Sequence, residues 1–166
     1  TRVVAAVREH GGLVVFDEAY QPFSSRSWMG KLAQPQHDHV LVLRTLSKFG
    51  LAGLRIGYLA GRRELIDEID KCSPPYNVSS LNAQATFFAL DHADVFEQQA
   101  MLLRAERVRL MSSLRVISGV TAFPSEANMI LVRVPDSKQA FEGMKARGVL
   151  VKHIAGLHPL LANCLR

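Results

Sequence analysis

Several features that would place the chain in a specialised class of protein are scarce or missing. Only two of its 166 residues are cysteines, and no apolar run approaches the roughly 20 residues that a membrane-spanning helix needs. Cys72 and Cys164 lie far apart and match no metal-ligand spacing, so we expect reduced thiols rather than a disulfide and no metal site. Residues 1–10 show neither a signal-peptide core nor a cleavage site, which favours a cytoplasmic protein.

The positive charge of the chain does not point to a nucleic-acid partner. The net charge is +5 and the isoelectric point is near 9.6. The arginines and lysines are scattered among acidic residues, however, and aromatic residues make up only 7% and form no stripe with them. We therefore interpret the charge as ordinary surface charge and predict neither nucleic-acid nor membrane binding.

The first part of the chain has the pattern of an α/β protein with a mostly parallel sheet. Hydrophobic residues (48%) and charged residues (21%) are in the proportions of a globular protein. Residues 1–10 resemble an amphipathic helix that stops at Gly11-Gly12. The apolar runs 13–16 and 40–43 are typical of buried parallel strands. Residues 55–60 are predicted to form a third strand.

After residue 60 the pattern becomes helical and then mixed. Helices are predicted at about 62–71, from Ser79 or Ser80 to 91, at 94–116 and at 137–146; strands are predicted at 120–123, 128–133 and 149–151. In the long helix, Phe96, Ala100, Leu103, Leu110 and Leu114 form one apolar stripe. The last third is therefore α+β in style, and we place a domain boundary between 1–99 and 100–166.

Polar residues that could carry chemistry follow the ends of the predicted strands. Asp17 and Tyr20 come after the first strand, and Ser47 and Lys48 after the second, with Arg55 seven residues later. In open α/β sheets ligands bind at the carboxyl edge. Taken alone, Asp17 is as easily a turn former, Lys48 a solvated lysine and Arg55 an edge charge.

Together these residue types suit one cofactor, pyridoxal phosphate. It needs an amine for its aldehyde, a carboxylate beside its ring nitrogen, and cations or hydroxyls for its phosphate. A lysine can serve as the amine because its pKa falls when it is desolvated near positive charge. An arginine offers the phosphate a planar and permanently charged set of donors.

Two segments carry a family resemblance. Residues 15–20 (VFDEAY) and 44–58 (RTLSKFGLAGLRIGY) resemble the signature segments of class I/II aminotransferases. Residues 74–79, 126–130 and 158–166 are also similar to the histidinol-phosphate aminotransferase subfamily, so the resemblance spans essentially the whole chain. One departure is that many relatives carry an extra residue where this chain has only Phe49 between Lys48 and Gly50.

The resemblance implies roles for individual residues. Lys48 forms the Schiff base with pyridoxal phosphate, Asp17 pairs with the pyridine nitrogen, and Tyr20 bonds the ring's 3′-oxygen. Ser47 and Arg55 contact the phosphate, and Arg166 grips the carboxylate of the substrate or the equivalent end of a phosphorylated amino alcohol. The implied fold is the large cofactor-binding domain of fold-type I enzymes (here 1–99) followed by part of the small domain (100–166).

The resemblance also implies substrates, assembly and an incomplete pocket. The expected reaction transfers an amino group between glutamate/2-oxoglutarate and histidinol phosphate/imidazole-acetol phosphate, in a homodimer. Because the family's upstream cofactor-binding motifs are missing, we expect a fragment with weak or no activity by itself. Two alternatives stay open at this point. One is another fold-type I enzyme, such as a threonine-phosphate decarboxylase or an aromatic aminotransferase; the other is a non-catalytic sensor domain of the same fold.

Overall fold

The computed structural model describes all residues, 1–166, and divides the chain into two compact units. Thr1–Ala100 form the first unit and Met101–Arg166 the second. The first contains α1 (Arg2–Glu9), β1 (Val14–Asp17), β2 (Val40–Thr45), β3 (Gly57–Ala60), α2 (Arg63–Asp70), α3 (Ser80–Asp91) and the start of α4 (Ala93–Arg115). The second contains the rest of α4, then β4 (Thr121–Ala122), β5 (Val132–Arg133), α5 (Ser137–Ala146) and β6 (Cys164–Leu165). The assignment of the units to a large and a small domain stays a prediction.

The sheet of the first unit is mixed, in the order β1-β2-β3. β1 pairs parallel with β2, in the register Val14↔Val40 to Asp17↔Leu43, as the sequence predicts. In a sheet expected to be mostly parallel, β3 instead pairs antiparallel with β2. Only residues 46–56 connect the two strands, and a parallel crossover needs a dozen or more residues, usually including a helix.

Burial differs sharply between the two parallel strands. Val40, Leu41 and Val42 of β2 are at most 2% exposed and form the centre of the first unit. The prediction that β1 is also buried is wrong, since its residues alternate between half-buried and exposed positions and Val15 is 55% exposed. Leu43, which shares that face of the sheet, is 40% exposed, so part of one sheet face is open.

Helix ends in the first unit follow the capping chemistry of the sequence. The Ser79 side chain accepts a hydrogen bond from the N–H of Asn82 at 3.2 Å and begins α3, as predicted. Gly11, with φ +66°, follows the end of α1, where a left-handed residue favours glycine. None of the helices combines the length with the apolar character that crossing a bilayer requires.

The second unit is an antiparallel sheet, β4-β5-β6, with α5 beside it. The Asp136 side chain accepts from the N–H of Gln139 at 2.9 Å and caps α5. The strand predicted at 149–151 is wrong: pairing begins at Lys152, which exchanges two 2.9 Å backbone hydrogen bonds with Arg166. Its partner β6 was not predicted, because two residues are too few to show a periodic pattern.

The buried residues of the long helix α4 are only partly those of its apolar stripe. Ala100 and Met111 are 4% and 8% exposed, whereas Leu103 and Leu110 are 49% and 46% exposed. The predicted apolar stripe is therefore buried at Ala100, whereas Leu103 and Leu110 line an open apolar cavity and stay about half exposed. Periodicity locates the helix well but cannot tell which apolar residues find a neighbour within this chain.

Candidate active site

The candidate active site lies at the carboxyl edge of the β1-β2-β3 sheet. Because β1 and β2 are parallel and in register, Asp17 and Thr45 bring their carboxyl ends to the same edge. Residues 46–56 form a loop there that returns into β3. The five residues that we predict to bind the cofactor lie at this edge or in this loop: Asp17, Tyr20, Ser47, Lys48 and Arg55.

Lys48 sits in a tight turn and is not neutralised by a counter-charge. It lies in the 3-10 turn Ser47–Phe49, is half-buried, and makes no hydrogen bond or ion pair. Its Nζ lies 5.3 Å from the centre of the Tyr20 ring. The structure thus brings together two residues separated by 28 positions, and it leaves the amine available to a ligand.

The ends of the lysine loop are held by a small set of hydrogen bonds. The N–H of Leu46 donates to the carbonyl of Ile56 at 3.0 Å. The Thr45 hydroxyl donates to the same carbonyl at 3.2 Å and accepts from the N–H of Ser47 at 3.0 Å. Thr45 therefore fixes the first residues of the turn that carries Lys48.

Gly50 allows the turn to close against α4. Its φ of +94° lies in the left-handed region, and a Cβ there would meet Cδ1 of Phe96 at 3.4 Å. The rings of Phe49 and Phe96 lie 5.3 Å apart, and this contact anchors the residue after Lys48. Farther along the loop, the Asn82 side chain donates to the carbonyl of Leu54 at 3.0 Å and ties the loop to α3.

Asp17 forms a turn and is also a candidate cofactor-binding residue. Its Oδ1 accepts a hydrogen bond from the N–H of Ala19 at 2.9 Å, which is an Asx turn. The residue is exposed, and the structure gives the carboxylate no cationic partner. The turn orients the side chain while its second oxygen remains available to a donor.

Arg55 combines an unusual backbone with a free guanidinium. Its φ of +55° is left-handed, which is uncommon for a residue with a side chain and costs about 1–2 kcal/mol. The residue is exposed and makes no side-chain hydrogen bond or ion pair. Backbone strain of this kind clusters at ligand sites, where it is offset elsewhere in the fold.

Arg166 belongs to the second unit. It is exposed, extends the pairing of β6, and lines an open cavity of about 740 Å³ whose walls are mainly apolar residues of α4, the sheet and α5. Five of the six predicted site residues therefore lie in the first unit, and the sixth, Arg166, lies in the second.

Sequence reasoning missed a polar cluster directly beside the site. Glu18 accepts hydrogen bonds from Arg44, from the Ser27 hydroxyl and from the backbone N–H of Trp28. A signal was present, since Glu18 follows Asp17 directly and Arg44 is a charge at the end of an otherwise apolar strand. Their pairing could not be read from residues 26 positions apart.

The whole chain also matches a known protein family. The model of the family described as aminotransferase class I and II matches residues 1–166. The chain belongs to this family.

Individual aminotransferases resemble the chain over almost all of its length. Histidinol-phosphate aminotransferase from Methylibium petroleiphilum is 70% identical over 165 residues, which are 99% of this chain and 44% of that protein. The enzyme of the same name from Paracidovorax citrulli is 60% identical over 168 residues, which are 99% of this chain and 45% of that protein. The chain thus spans a little under half the length of these relatives.

Solved aminotransferase structures confirm the predicted fold class. Histidinol-phosphate aminotransferase from Clostridium acetobutylicum superposes with a TM-score of 0.84 at 19% identity, covering 99% of this chain and 51% of that one. The Sinorhizobium meliloti histidinol-phosphate aminotransferase, solved in complex with pyridoxal-5′-phosphate, gives a TM-score of 0.76 at 26% identity, covering 99% and 46%. The mixed α/β architecture is therefore that of part of a fold-type I aminotransferase.

Proposed function

We propose that the protein is a pyridoxal-phosphate-dependent aminotransferase of histidine biosynthesis and that Lys48 holds the cofactor. The observation that carries this proposal is the Lys48 amine, unpaired and 5.3 Å from the Tyr20 ring, at the sheet edge where Asp17 ends β1. Membership of the aminotransferase family and the names of the most similar relatives support it.

The residues at this edge fit the chemistry of pyridoxal phosphate. The cofactor needs an amine, a carboxylate near its ring nitrogen and donors for its phosphate. Lys48 supplies the amine, Asp17 the carboxylate and Tyr20 a phenol, while Ser47 and Arg55 supply a hydroxyl and a cation. Neither Lys48 nor Arg55 forms an ion pair within the chain, so binding the cofactor breaks no ion pair of the fold.

The chain's own groups then divide the work of transamination. When bound, the cofactor supplies an aldehyde for the substrate amine and a ring that accepts the electron pair left at the substrate Cα. With the cofactor bound, Lys48 Nζ would take the proton from the substrate Cα as a general base and deliver it, as a general acid, to the cofactor carbon that had carried the aldehyde. Asp17 holds a negative charge beside the ring nitrogen and keeps that nitrogen protonated. Arg55 and Ser47 anchor the phosphate so that the reacting carbon stays within reach of Lys48.

The proposed substrates are those named by the resemblance. An amino group passes between glutamate/2-oxoglutarate and histidinol phosphate/imidazole-acetol phosphate, and Arg166 binds the carboxylate or phosphate end of the substrate. We further propose a homodimer as the working form. Because the chain spans 44% of its Methylibium relative, we expect the 166 residues alone to show little turnover.

Substitution of the lysine tests the proposal. In the full-length protein we expect Lys48→Ala to abolish transamination of histidinol phosphate with 2-oxoglutarate, measured as glutamate formed. Lys31→Ala is the matched control, because Lys31 is also a lysine of the first unit but lies over the Trp28 ring, at 4.6 Å. Turnover by Lys48→Ala at the wild-type rate would refute the assignment.

A further inference from the structure

The Glu18 carboxylate is unusually well bound for a side chain outside the predicted site. Its side chain is 10% exposed, and it accepts hydrogen bonds from Nε and Nη2 of Arg44 at 3.1 and 3.0 Å. The Ser27 hydroxyl donates to it at 2.9 Å, and the backbone N–H of Trp28 donates to its second oxygen. A nearly buried carboxylate with four donors is held in one geometry.

The arginine of this pair is held as firmly. The Arg44 side chain is 20% exposed, and its Nη2 also donates to Ser27 Oγ at 2.9 Å, which closes a triangle of Glu18, Ser27 and Arg44. Beside the triangle the rings of Phe16 and Trp28 stack at 4.4 Å with 13° between their planes. The cluster therefore joins β1, the segment after it and β2.

Along the backbone, the pair is adjacent to Asp17 and lies four residues before Lys48. Glu18 follows Asp17, and its N–H donates to the carbonyl of Leu43 at 2.8 Å, so that the ladder between the strands continues past Asp17. Arg44 precedes Thr45, whose hydroxyl fixes the turn that carries Lys48. Because neighbouring strand residues point to opposite faces, Glu18 is clamped on one face while Asp17 projects from the other.

We propose that the Glu18–Arg44 ion pair is a positioning element that sets the separation of the Asp17 carboxylate and the Lys48 amine. This inference rests on the proposed function, because it concerns the two groups that contact the cofactor. The β1–β2 ladder alone permits small shifts at its end, and the ion pair with its bound serine removes them where Asp17 and Lys48 emerge. Neither Glu18 nor Arg44 needs to touch the cofactor.

Spectroscopy of the cofactor-loaded, full-length protein tests the proposal with Glu18→Gln, which keeps the size of the side chain and removes its charge. Pyridoxal phosphate bound to a lysine has a visible absorbance band that changes with pH, and the negative charge of Asp17 favours its protonated form. Displacement of Asp17 should lower the midpoint of that change by about half a pH unit or more. The dissociation constant of the cofactor should rise about tenfold.

Three further variants separate positioning from stability. Arg44→Lys keeps the charge but loses the Nε donor, and should give a smaller shift in the same direction. Glu64→Gln removes the same charge from an exposed pair with Arg62 and should move neither quantity. Val4→Ala empties space around a side chain that is 4% exposed; it should lower Tm without moving the midpoint or the affinity.

The outcomes distinguish this inference from the proposed function. If the visible band depends on Lys48 but Glu18→Gln and Arg44→Lys lower only Tm, as Val4→Ala does, the positioning role is overturned and the function stands. If the band survives in Lys48→Ala, the assignment of the lysine fails and the positioning role fails with it. Amide hydrogen exchange without cofactor gives an independent reading: residues 17–20 and 45–49 should exchange faster in Glu18→Gln, and unchanged exchange there would also overturn the proposal.

Discussion

The two edges of the β1-β2-β3 sheet use their charged residues in different ways. At the amino edge, Asp38 lies near two arginines, Arg8 at 3.9 Å and Arg62 at 3.6 Å, and its Oδ1 is 3.6 Å from Nδ1 of the His39 ring. The buried His39 also donates from Nε2 to the carbonyl of Val4 at 3.0 Å, which fastens α1 to the start of β2. The charges of this edge are matched within the chain, and they hold elements of the fold together.

At the carboxyl edge the charges of the proposed site are left unmatched. Lys48 and Arg55 have no ion-pair partner, Asp17 is bonded only to its own turn, and Arg55 keeps a left-handed backbone. Beneath them the Glu18–Arg44 pair is fully bonded. The contrast suggests that ligand-binding residues can be recognised as charged residues that have no ion-pair partner within the chain.

The largest expected effect comes from removing one carboxylate at each edge. Asp17→Asn should lower transamination about a hundredfold or more, because a neutral amide no longer stabilises the protonated ring nitrogen. Its stability should hardly change, since only a local turn is affected. Asp38→Asn should keep activity and lose about 0.5–1 kcal/mol of stability, because its pairs are partly exposed and long.

Activity assays and denaturant unfolding of both variants check this contrast. A large loss of activity in Asp38→Asn at full stability would show that the two edges do not divide function and structure in this way.

At each of the two edges, one glycine lies so close to its neighbours that an added Cβ would clash. A Cβ at Gly57 would lie 2.8 Å from the carbonyl oxygen of Arg44, next to the lysine loop, and a Cβ at Gly61 would clash with the side chain of Leu41. Both alanine variants should lose about 1–3 kcal/mol of stability. Only Gly57→Ala should also weaken cofactor binding, as measured by fluorescence titration; equal affinities in the two variants would argue against a sensitive carboxyl edge.

Arg55→Gly should weaken cofactor binding while changing stability only slightly. Glycine tolerates the φ of +55° and relieves strain of about 1 kcal/mol, less the entropy that glycine loses on folding. The same change removes the phosphate contact, so the dissociation constant of pyridoxal phosphate should rise about tenfold. Arg55→Lys is the control for charge, and it should retain part of the affinity. Unchanged affinity in Arg55→Gly would exclude this arginine from the phosphate site.

The smallest effect is expected at the exposed Glu64. Its own backbone N–H, and then Arg62, hold the pKa of this carboxyl below its usual range. A lowered pKa in the folded state means that the stabilisation is present above the usual carboxyl range and is lost as the pH falls through the folded-state value. Glu64→Gln should therefore remove a slight stability difference between neutral and acidic pH, because exposed pairs contribute little. A strong pH dependence of the difference in Tm would contradict this.

Local chemistry explains which features could be predicted from the sequence. The Ser79 cap, the three helices of the first unit that follow β3 and the parallel pairing of β1 with β2 depend on short-range patterns, and all are present. The antiparallel direction of β3 was not predicted, because strand direction depends on the length of the connection before the strand and not on the strand's own residues. The exposed Val15 and Leu103 were missed because an apolar residue shows a preference for burial but not whether a partner surface exists.

The candidate site shows the same limit. Asp17, Tyr20, Ser47, Lys48 and Arg55 could be grouped because parallel strands bring their ends together and because the segments resemble a family. The Glu18–Arg44 pair was missed because it joins residues 26 positions apart, for which a single sequence holds no periodic signal. The proposed positioning of Asp17 and Lys48 by this pair can be inferred only from side-chain distances.

The most direct test of the account is to locate the covalent attachment of the cofactor. The full-length protein loaded with pyridoxal phosphate is reduced with borohydride, digested and mapped by mass spectrometry. The account predicts one modified peptide with the added mass on Lys48, absent from Lys48→Ala and present in Lys31→Ala. Modification of another lysine in the unaltered protein, with Lys48 unmodified, would contradict it.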